Sequence, residues 1–194
     1  MNYLAKVAHQ LWKHANNGDI LVVPGGQNAD NQGITASFGL ATAYNTDIQE
    51  VEYWLVPKLI SAFARGELML KDPEIHFLEE PKGTMVREVL EETGLKPLEC
   101  IDLDNYQQNP HYEKAAGVHI QSAYWITRFD DRNVHKYPPM DGRTGVPLWV
   151  PESLVRNCLW KRHHWILDEV QARVARNEIQ LMTRNQKKRE PVAA

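Results

Sequence analysis

The sequence predicts an α/β or α+β protein, and three features indicate this class. Apolar residues recur at helical spacing over Leu4–Trp12, and Asn16–Gly18 follows as a helix end. Short apolar or aromatic runs at Ile20–Val23 and Val118–Phe129 are typical of buried strands. A helical pattern returns after Pro151. Because helices and strands alternate along the chain, the class is α/β or α+β.

After the first strand, the sequence predicts a loop, a second strand and a helix. Gln27–Gly33 is polar and rich in turn-forming residues, so it is predicted as a loop. Ile34–Tyr44 is predicted as the second strand. Apolar residues at helical spacing predict a helix over Asp47–Arg65, which Pro57 would kink. In the domain this helix would be an insertion at residues 47–66.

The second half of the chain is predicted to alternate strands with a long loop. Leu98–Leu103 and Leu148–Val150 are further strands. Between them, Asp130–Val146 is rich in Pro, Gly and Asp, and a loop of that length is often functional. Asn185–Ala194 has almost nothing apolar to bury and is predicted as a loose tail. We therefore expect one domain over residues 1–184.

Composition excludes several classes of function. The 194 residues are 43% hydrophobic and 24% charged, as in ordinary globular proteins, and their net charge of -3 offers no basic footprint for nucleic acid. No apolar run is long enough to span a membrane, and the start lacks a signal-peptide core. Cys100 and Cys158 are far apart and predicted to be reduced thiols. These features predict a cytoplasmic protein.

Three carboxylates share one side of a predicted helix. Glu88, Glu91 and Glu92 stand at positions i, i+3 and i+4, where like charges repel. A divalent cation would remove this conflict, because Mg²⁺ is commonly held by one or two carboxylates together with waters and substrate phosphates. The alternative is an ordinary solvated helix face, on which Arg87 and Glu91 form an i, i+4 ion pair.

The segment that contains this helix resembles the Nudix box. Glu79 is followed by seven residues and then by Arg-Glu-Val-Leu-Glu-Glu-Thr-Gly-Leu at 87–95, which matches the charged, glycine and apolar positions of that pattern. The segment departs from the pattern at Pro73, where the family has its opening glycine. The loop before the helix must therefore follow a different path.

The resemblance implies a mixed β-sheet between helices, here with extra N-terminal helical elements, and hydrolysis of a nucleoside diphosphate derivative with Mg²⁺ or Mn²⁺. It implies that Glu88 and Glu92 are the principal metal ligands and that Glu91 is a further ligand or the base that positions water. Arg87 would pair with Glu79 to hold the loop on the helix. Arg87, Glu88, Glu91 and Glu92 are thus the predicted catalytic residues.

Substrate-binding residues are less clearly indicated. Pro110 and Tyr112 lie where ADP-ribose-type and dinucleoside-polyphosphate-type members, respectively, often carry those residues, but both also suit an ordinary turn. Arg143 could contact a phosphate, and we expect the loop Asp130–Val146 around it to border the substrate pocket. Gly25-Gly26 is similar to a Gly-Gly that precedes the family's box, but it lies 53 residues before Glu79 and is interpreted as a coincidence.

Three functions remain open at this level. The first is a metal-dependent hydrolase of an ADP-ribose-like compound, a sugar nucleotide or a dinucleotide. The second is a non-catalytic Nudix-like module that senses a nucleotide, and the third is a pyrophosphohydrolase that acts on RNA caps. The net charge of -3 disfavours an RNA partner. We expect a small-molecule nucleotide and no membrane as partners, and the sequence leaves open whether the chain forms a homodimer.

Overall fold

The structure is a computed structural model that describes residues 2–30, 33–58, 80–94, 97–103, 107–108, 120–128 and 144–184. Its helices are α1 (Tyr3–Asn16), α2 (Pro81–Thr93), α3 (Glu152–Cys158) and α4 (His164–Ala175), with a 3₁₀ turn at Lys161–His163. The strands are β1 (Ile20–Val22), β2 (Gly25–Asp30), β3 (Gly33–Asn45), β4 (Glu50–Lys58), β5 (Glu99–Asp102), β6 (Gln107–Gln108), β7 (Ile120–Arg128), β8 (Leu148–Pro151) and β9 (Met182–Arg184).

The strands form one mixed sheet around β3. The main strand order is β1-β4-β3-β7-β5. Strand β3 pairs antiparallel with β2 and β4 and parallel with β7 and β9. Strands β8 and β1 both pair antiparallel with β4. The long strand β3 therefore connects every part of the sheet.

Helices cover both faces of the sheet, as predicted. On one face, a large core forms between the sheet and the helices α3 and α4, and its members include Leu40, Tyr53, Val155 and Ile166. On the other face, a smaller core forms against α2. Its residues are Ala41, Ala43, Trp54, Met85, Val89, Trp125 and Trp149. Since side chains alternate along a strand, β3 and β4 contribute to both cores.

The predicted helix over Asp47–Arg65 is wrong for the residues that the structure describes. Residues 50–58 form strand β4, while residues 59–65 lie outside the described part of the chain. Six consecutive residues of β4, from Glu52 to Pro57, are buried, because the strand is covered on both faces. A strand of this kind shows no polar alternation, so its apolar residues also fit a helical spacing.

The loop predicted at Gln27–Gly33 is also wrong where it is described. Gly25–Asp30 form β2, which pairs with the start of β3 in an antiparallel hairpin. The pairing, rather than local propensity, makes this polar stretch a strand. The predictions of α1, of the strands near Ile20, Ile34, Leu98, Val118 and Leu148, and of helices after Pro151 are confirmed.

Several smaller predictions also have an outcome. Val7 is buried, as its place on the apolar stripe of α1 predicts, but Trp12 of the same stripe is 60% exposed. Both cysteines are free thiols, and burial raises the pKa of Cys158 to about 12. In the described part of the chain, no helix is long and apolar enough to cross a membrane. The predicted tail, residues 185–194, lies outside the described residues.

Candidate functional site

The carboxylate-bearing helix forms where the sequence predicts it. Helix α2 begins at Pro81, a residue that suits the first turn because it has no N–H to leave unpaired. It ends at Gly94, whose φ of 73° lies in the left-handed region and whose N–H donates to the Leu90 carbonyl at 2.7 Å. The fixed glycine of the box is thus the C-cap of the helix.

Small residues of β3 let α2 lie close to the sheet. Ser37, Gly39, Ala41 and Ala43 alternate along the strand. A Cβ on Gly39 would come within 2.6 Å of the Met85 Sδ, so even an alanine there would collide with the helix. This stripe explains the Ala and Gly content of β3, and it allows the buried side of α2 to press against the sheet.

Glu92 lies on that buried side of the helix. Its exposed fraction is 0%, and its Oε2 accepts a hydrogen bond of 2.9 Å from the N–H of Gly25. The Nζ of Lys58, at the end of β4, forms an ion pair with Oε1 of the same carboxylate. A carboxylate this deeply buried needs such partners, because it has lost its hydration.

Glu88, one helical turn before Glu92, lies against Gly26, the second residue of β2. Gly26 lies so close that a Cβ there would overlap the Glu88 carboxylate. Burial raises the pKa of Glu88, an effect that Arg87 opposes, that Glu91 reinforces and that Lys58 opposes. The raised pKa means that partial burial makes the ionised carboxylate of Glu88 less stable than it would be in water.

The interpretation of Gly25-Gly26 as a coincidence is therefore wrong. Gly25 and Gly26 contact Glu92 and Glu88, the carboxylates that the resemblance implies as metal ligands, across more than 60 residues of sequence. The contact arises because β2 pairs antiparallel with β3. This pairing places the first residues of β2 beneath α2. No local spacing in the sequence reports this approach.

Arg87 and Glu91 lie on a more exposed part of the helix. Arg87 Nη1 donates to Glu88 Oε1 at 2.9 Å and approaches Glu91 Oε2 at 3.3 Å. The side chain of Glu91 is 39% exposed, against 18% for Glu88 and 1% for Glu92. Glu79, the predicted partner of Arg87, lies outside the described residues.

The three carboxylates do not form a single ligand set as the structure arranges them. Within the described ranges, no group of three His, Cys, Asp or Glu side chains could hold a metal ion. Glu88 and Glu92 face Gly25 and Gly26 at the start of β2, whereas Glu91 forms an ion pair with Arg87 on a more exposed part of the helix. The two inner carboxylates are still a suitable donor set for Mg²⁺, which often uses only one or two from the protein.

The described end of the long loop runs beside this site. Thr144 forms a β-bridge with Lys58, and the N–H of Gly145 donates to the Pro57 carbonyl at 2.8 Å. This end of the loop therefore pairs with the end of β4 that carries Lys58, the residue whose side chain pairs with Glu92. Three predicted substrate residues lie outside the described part of the chain: Pro110, Tyr112 and Arg143.

His163 contacts the backbone just before Gly25 and Gly26, and the sequence did not single it out as a site residue. Its side chain is buried, and its Nδ1 accepts a hydrogen bond of 3.1 Å from the N–H of Val23. The Pro24 carbonyl in turn accepts from the N–H of Gly39 at 2.8 Å. His163 therefore fixes the backbone that leads into Gly25 and Gly26. The Nε2 of the neighbouring His164 contacts the Leu159 carbonyl at 3.0 Å.

Two substitutions of His163 should distinguish its role as a hydrogen-bond acceptor from its role in packing. In His163→Leu the buried N–H of Val23 loses its acceptor, which costs about 1–3 kcal/mol of stability. In His163→Asn the amide oxygen can occupy the place of Nδ1, so we expect smaller losses of melting temperature and of any activity. Thermal melts and rates of both variants check this. Equal losses in the two would assign His163 a packing role only.

Replacement of Gly25 and of Gly26 by alanine should have different effects on stability and on the position of Glu88. The three atoms nearest to a Cβ on Gly26 all belong to the end of the flexible Glu88 side chain, so Gly26→Ala should fold while displacing that carboxylate. A Cβ on Gly25 meets the backbone of Ser37 and Phe38, so Gly25→Ala should lower the melting temperature much more. Melts and activity assays of both variants test this. A Gly26→Ala protein of unchanged activity would show that the position of Glu88 is unimportant.

No family model matches this chain, and no curated protein matches it either. Among solved structures, it is similar to the NUDIX domain of Shewanella oneidensis NrtR, crystallised with ADP ribose, at 12% identity and a TM-score of 0.46 over 80% of this chain and 87% of that one. It is also similar to S. oneidensis NrtR in complex with a 27mer DNA, at 13% identity and a TM-score of 0.47. That match covers 81% of this chain and 63% of the other.

Proposed function

We propose that the chain is a metal-dependent hydrolase that cleaves the diphosphate linkage of a nucleoside diphosphate derivative. One observation carries this proposal: Glu88 and Glu92 of one helix both face Gly25 and Gly26 at the start of β2. Two carboxylates at i and i+4, of which Glu92 is buried and Glu88 is 18% exposed, favour a divalent cation between them and the substrate phosphates. The resemblance of residues 79–95 to the Nudix box assigns the same two residues as ligands.

In this proposal Glu88 and Glu92 hold Mg²⁺ or Mn²⁺. Such an ion neutralises pyrophosphate charge and lowers the pKa of a bound water. The guanidinium of Arg87 orients the Glu88 carboxylate through their 2.9 Å contact. Glu91 is exposed at the rim and is the proposed acceptor of the proton of the attacking water.

A small nucleotide of the cytoplasm is the proposed substrate. The net charge of -3 disfavours RNA, which usually requires a basic surface. A diphosphate is the proposed linkage, because phosphoryl chemistry depends on positioning and charge stabilisation, which a metal held by two carboxylates would supply. ADP-ribose-like compounds, sugar nucleotides and dinucleotides all offer such a linkage.

A second candidate, a non-catalytic nucleotide sensor, is favoured by Lys58. Its ammonium already neutralises Glu92, so the protein balances this buried charge without a metal ion. A binder has no need of an activated water, and such a site would hold a nucleotide without hydrolysing it.

A substrate panel with identified products separates these functions. Purified protein is incubated with ADP-ribose, sugar nucleotides, dinucleoside polyphosphates and capped RNA, with Mg²⁺, Mn²⁺ or EDTA, and products are identified by mass. The hydrolase proposal predicts cleavage at a diphosphate linkage with metal and none with EDTA. Nucleotide binding without turnover under every metal condition would favour the sensor.

A further inference from the structure

Lys58 is a positively charged residue of the site that lies outside residues 79–95, and the Nudix-box pattern does not predict it. It lies on the same face of β4 as Glu52 and Trp54, because every second residue of a strand points to the same side. Its side chain therefore faces α2. There its Nζ pairs with Glu92 Oε1. The side chain of Lys58 is 16% exposed and that of Glu92 is 1% exposed.

This pairing has a consequence for any divalent cation at Glu92. A metal ion binds the carboxylate through the same oxygens that now face the ammonium. An ammonium and a divalent cation at one carboxylate also repel each other strongly where little water screens them. The two cations therefore compete for Glu92, and only one of them is accommodated at a time.

We propose that Lys58 is the resident counter-ion of Glu92 in the metal-free protein and that a divalent cation binds by displacing it. The displacement is feasible because the ammonium ends a flexible four-carbon chain. Lys58 is also the more exposed partner, so it can leave while Glu92 stays buried. The hydrogen bond from Gly25 to Oε2 keeps the carboxylate in place during the exchange.

The proposal rests on the proposed function only in requiring a divalent cation at Glu92; it requires no turnover. It implies that Lys58 has opposite effects on the stability of the metal-free protein and on the affinity for a metal ion. Lys58 stabilises the metal-free fold by pairing a buried charge, and it weakens metal binding by the cost of its own removal. Loss of Lys58 must therefore change the two properties in opposite directions.

The test measures both properties in Lys58→Met. Thermal unfolding is followed in metal-free buffer, and Mn²⁺ is titrated by calorimetry without any nucleotide. We expect a lower melting temperature and a Mn²⁺ affinity that is higher by about tenfold or more. Lys58→Arg keeps the charge, so its Mn²⁺ affinity should stay at or below that of the wild type. Lys82→Met, an exposed position on α2, is the matched control and should change neither property.

Each other outcome has a meaning. An unchanged or weaker Mn²⁺ affinity in Lys58→Met overturns the proposal, because a merely structural lysine would weaken binding by disturbing the site. Absence of Mn²⁺ binding by both proteins overturns it as well. If Lys58→Met does not fold, Lys58→Gln removes the charge while keeping a donor, and the same rise in affinity is required. Tighter Mn²⁺ binding in a protein that hydrolyses nothing supports the proposal and overturns the hydrolase.

Discussion

Glu92→Gln is expected to reduce the rate of diphosphate hydrolysis to less than about a tenth of the wild-type rate, a loss of at least ~1.4 kcal/mol of transition-state stabilisation. Glu88→Gln should have an effect of the same size. In each variant a neutral amide replaces one of the two inner carboxylates that face Gly25 and Gly26. The amide cannot replace the charge that a divalent cation requires. Steady-state rates with Mg²⁺ and Mn²⁺ measure the effect.

The two variants should differ in stability. Glu92→Gln leaves Lys58 facing a neutral group, so its metal-free melting temperature should fall. Burial raises the pKa of Glu88 against the opposing effect of Arg87, so its ionised form is disfavoured in the folded protein. The stability that this group provides decreases as the pH rises from the ordinary Glu pKa through the raised one. Glu88→Gln should therefore melt at or above the wild-type temperature near neutral pH.

Glu91→Gln distinguishes the loss of a metal ligand from the loss of a proton acceptor. Its side chain is the most exposed of the three carboxylates and pairs with Arg87. Glu91→Gln should leave Mn²⁺ binding nearly unchanged while lowering the rate, because its proposed role is to accept a proton. A Glu88→Gln or Glu92→Gln protein that keeps more than about a tenth of the rate would contradict a ligand role for that residue.

Arg184→Met is expected to destabilise the fold by about 3–5 kcal/mol, the usual cost of leaving one charge of a buried pair alone. Arg184, on β9, pairs with Glu52 of β4, and both are buried. Glu52 also accepts from the Tyr3 hydroxyl at 2.5 Å and from Asn45 Nδ2 at 3.0 Å. These contacts join α1, two central strands and the last described strand. Chemical denaturation of the variant measures the loss.

Arg156→Met is a suitable control for that measurement. Arg156 pairs with Asp168 on the surface, where the two side chains are 44% and 65% exposed. Screening by water leaves such a pair worth little, so this change should cost less than ~1 kcal/mol. Similar losses in the two variants would mean that the Glu52–Arg184 pair is not held away from water.

Sequence patterns predicted those features of the fold and site whose causes are local. Helix α2 with its Gly94 cap follows from residues within one short segment. Strand β7 follows from a run of β-branched and aromatic residues, and α4 from its apolar spacing. Glu88 and Glu92 also share a side of α2 because of their spacing alone.

Features that depend on distant pairing could not be predicted. Strand β4 is buried on both faces, so its continuous apolar run also fitted a helix. Gly25 and Gly26 reach the carboxylates only through the β2–β3 hairpin. Lys58 meets Glu92 across 34 positions of sequence, and Glu52 meets Arg184 across 132. Such contacts are set by how the sheet assembles, which no local pattern encodes.

A crystal structure of the protein soaked with Mn²⁺ tests the central claim most directly. The anomalous signal distinguishes Mn²⁺ from a water molecule or a lighter ion at the same place. The account predicts a single peak between the Glu88 and Glu92 carboxylates, at coordination distances of roughly 2.1 Å, with the Lys58 ammonium moved away from Glu92. A map without a peak there, with Lys58 still paired to Glu92, would contradict the metal-dependent hydrolase.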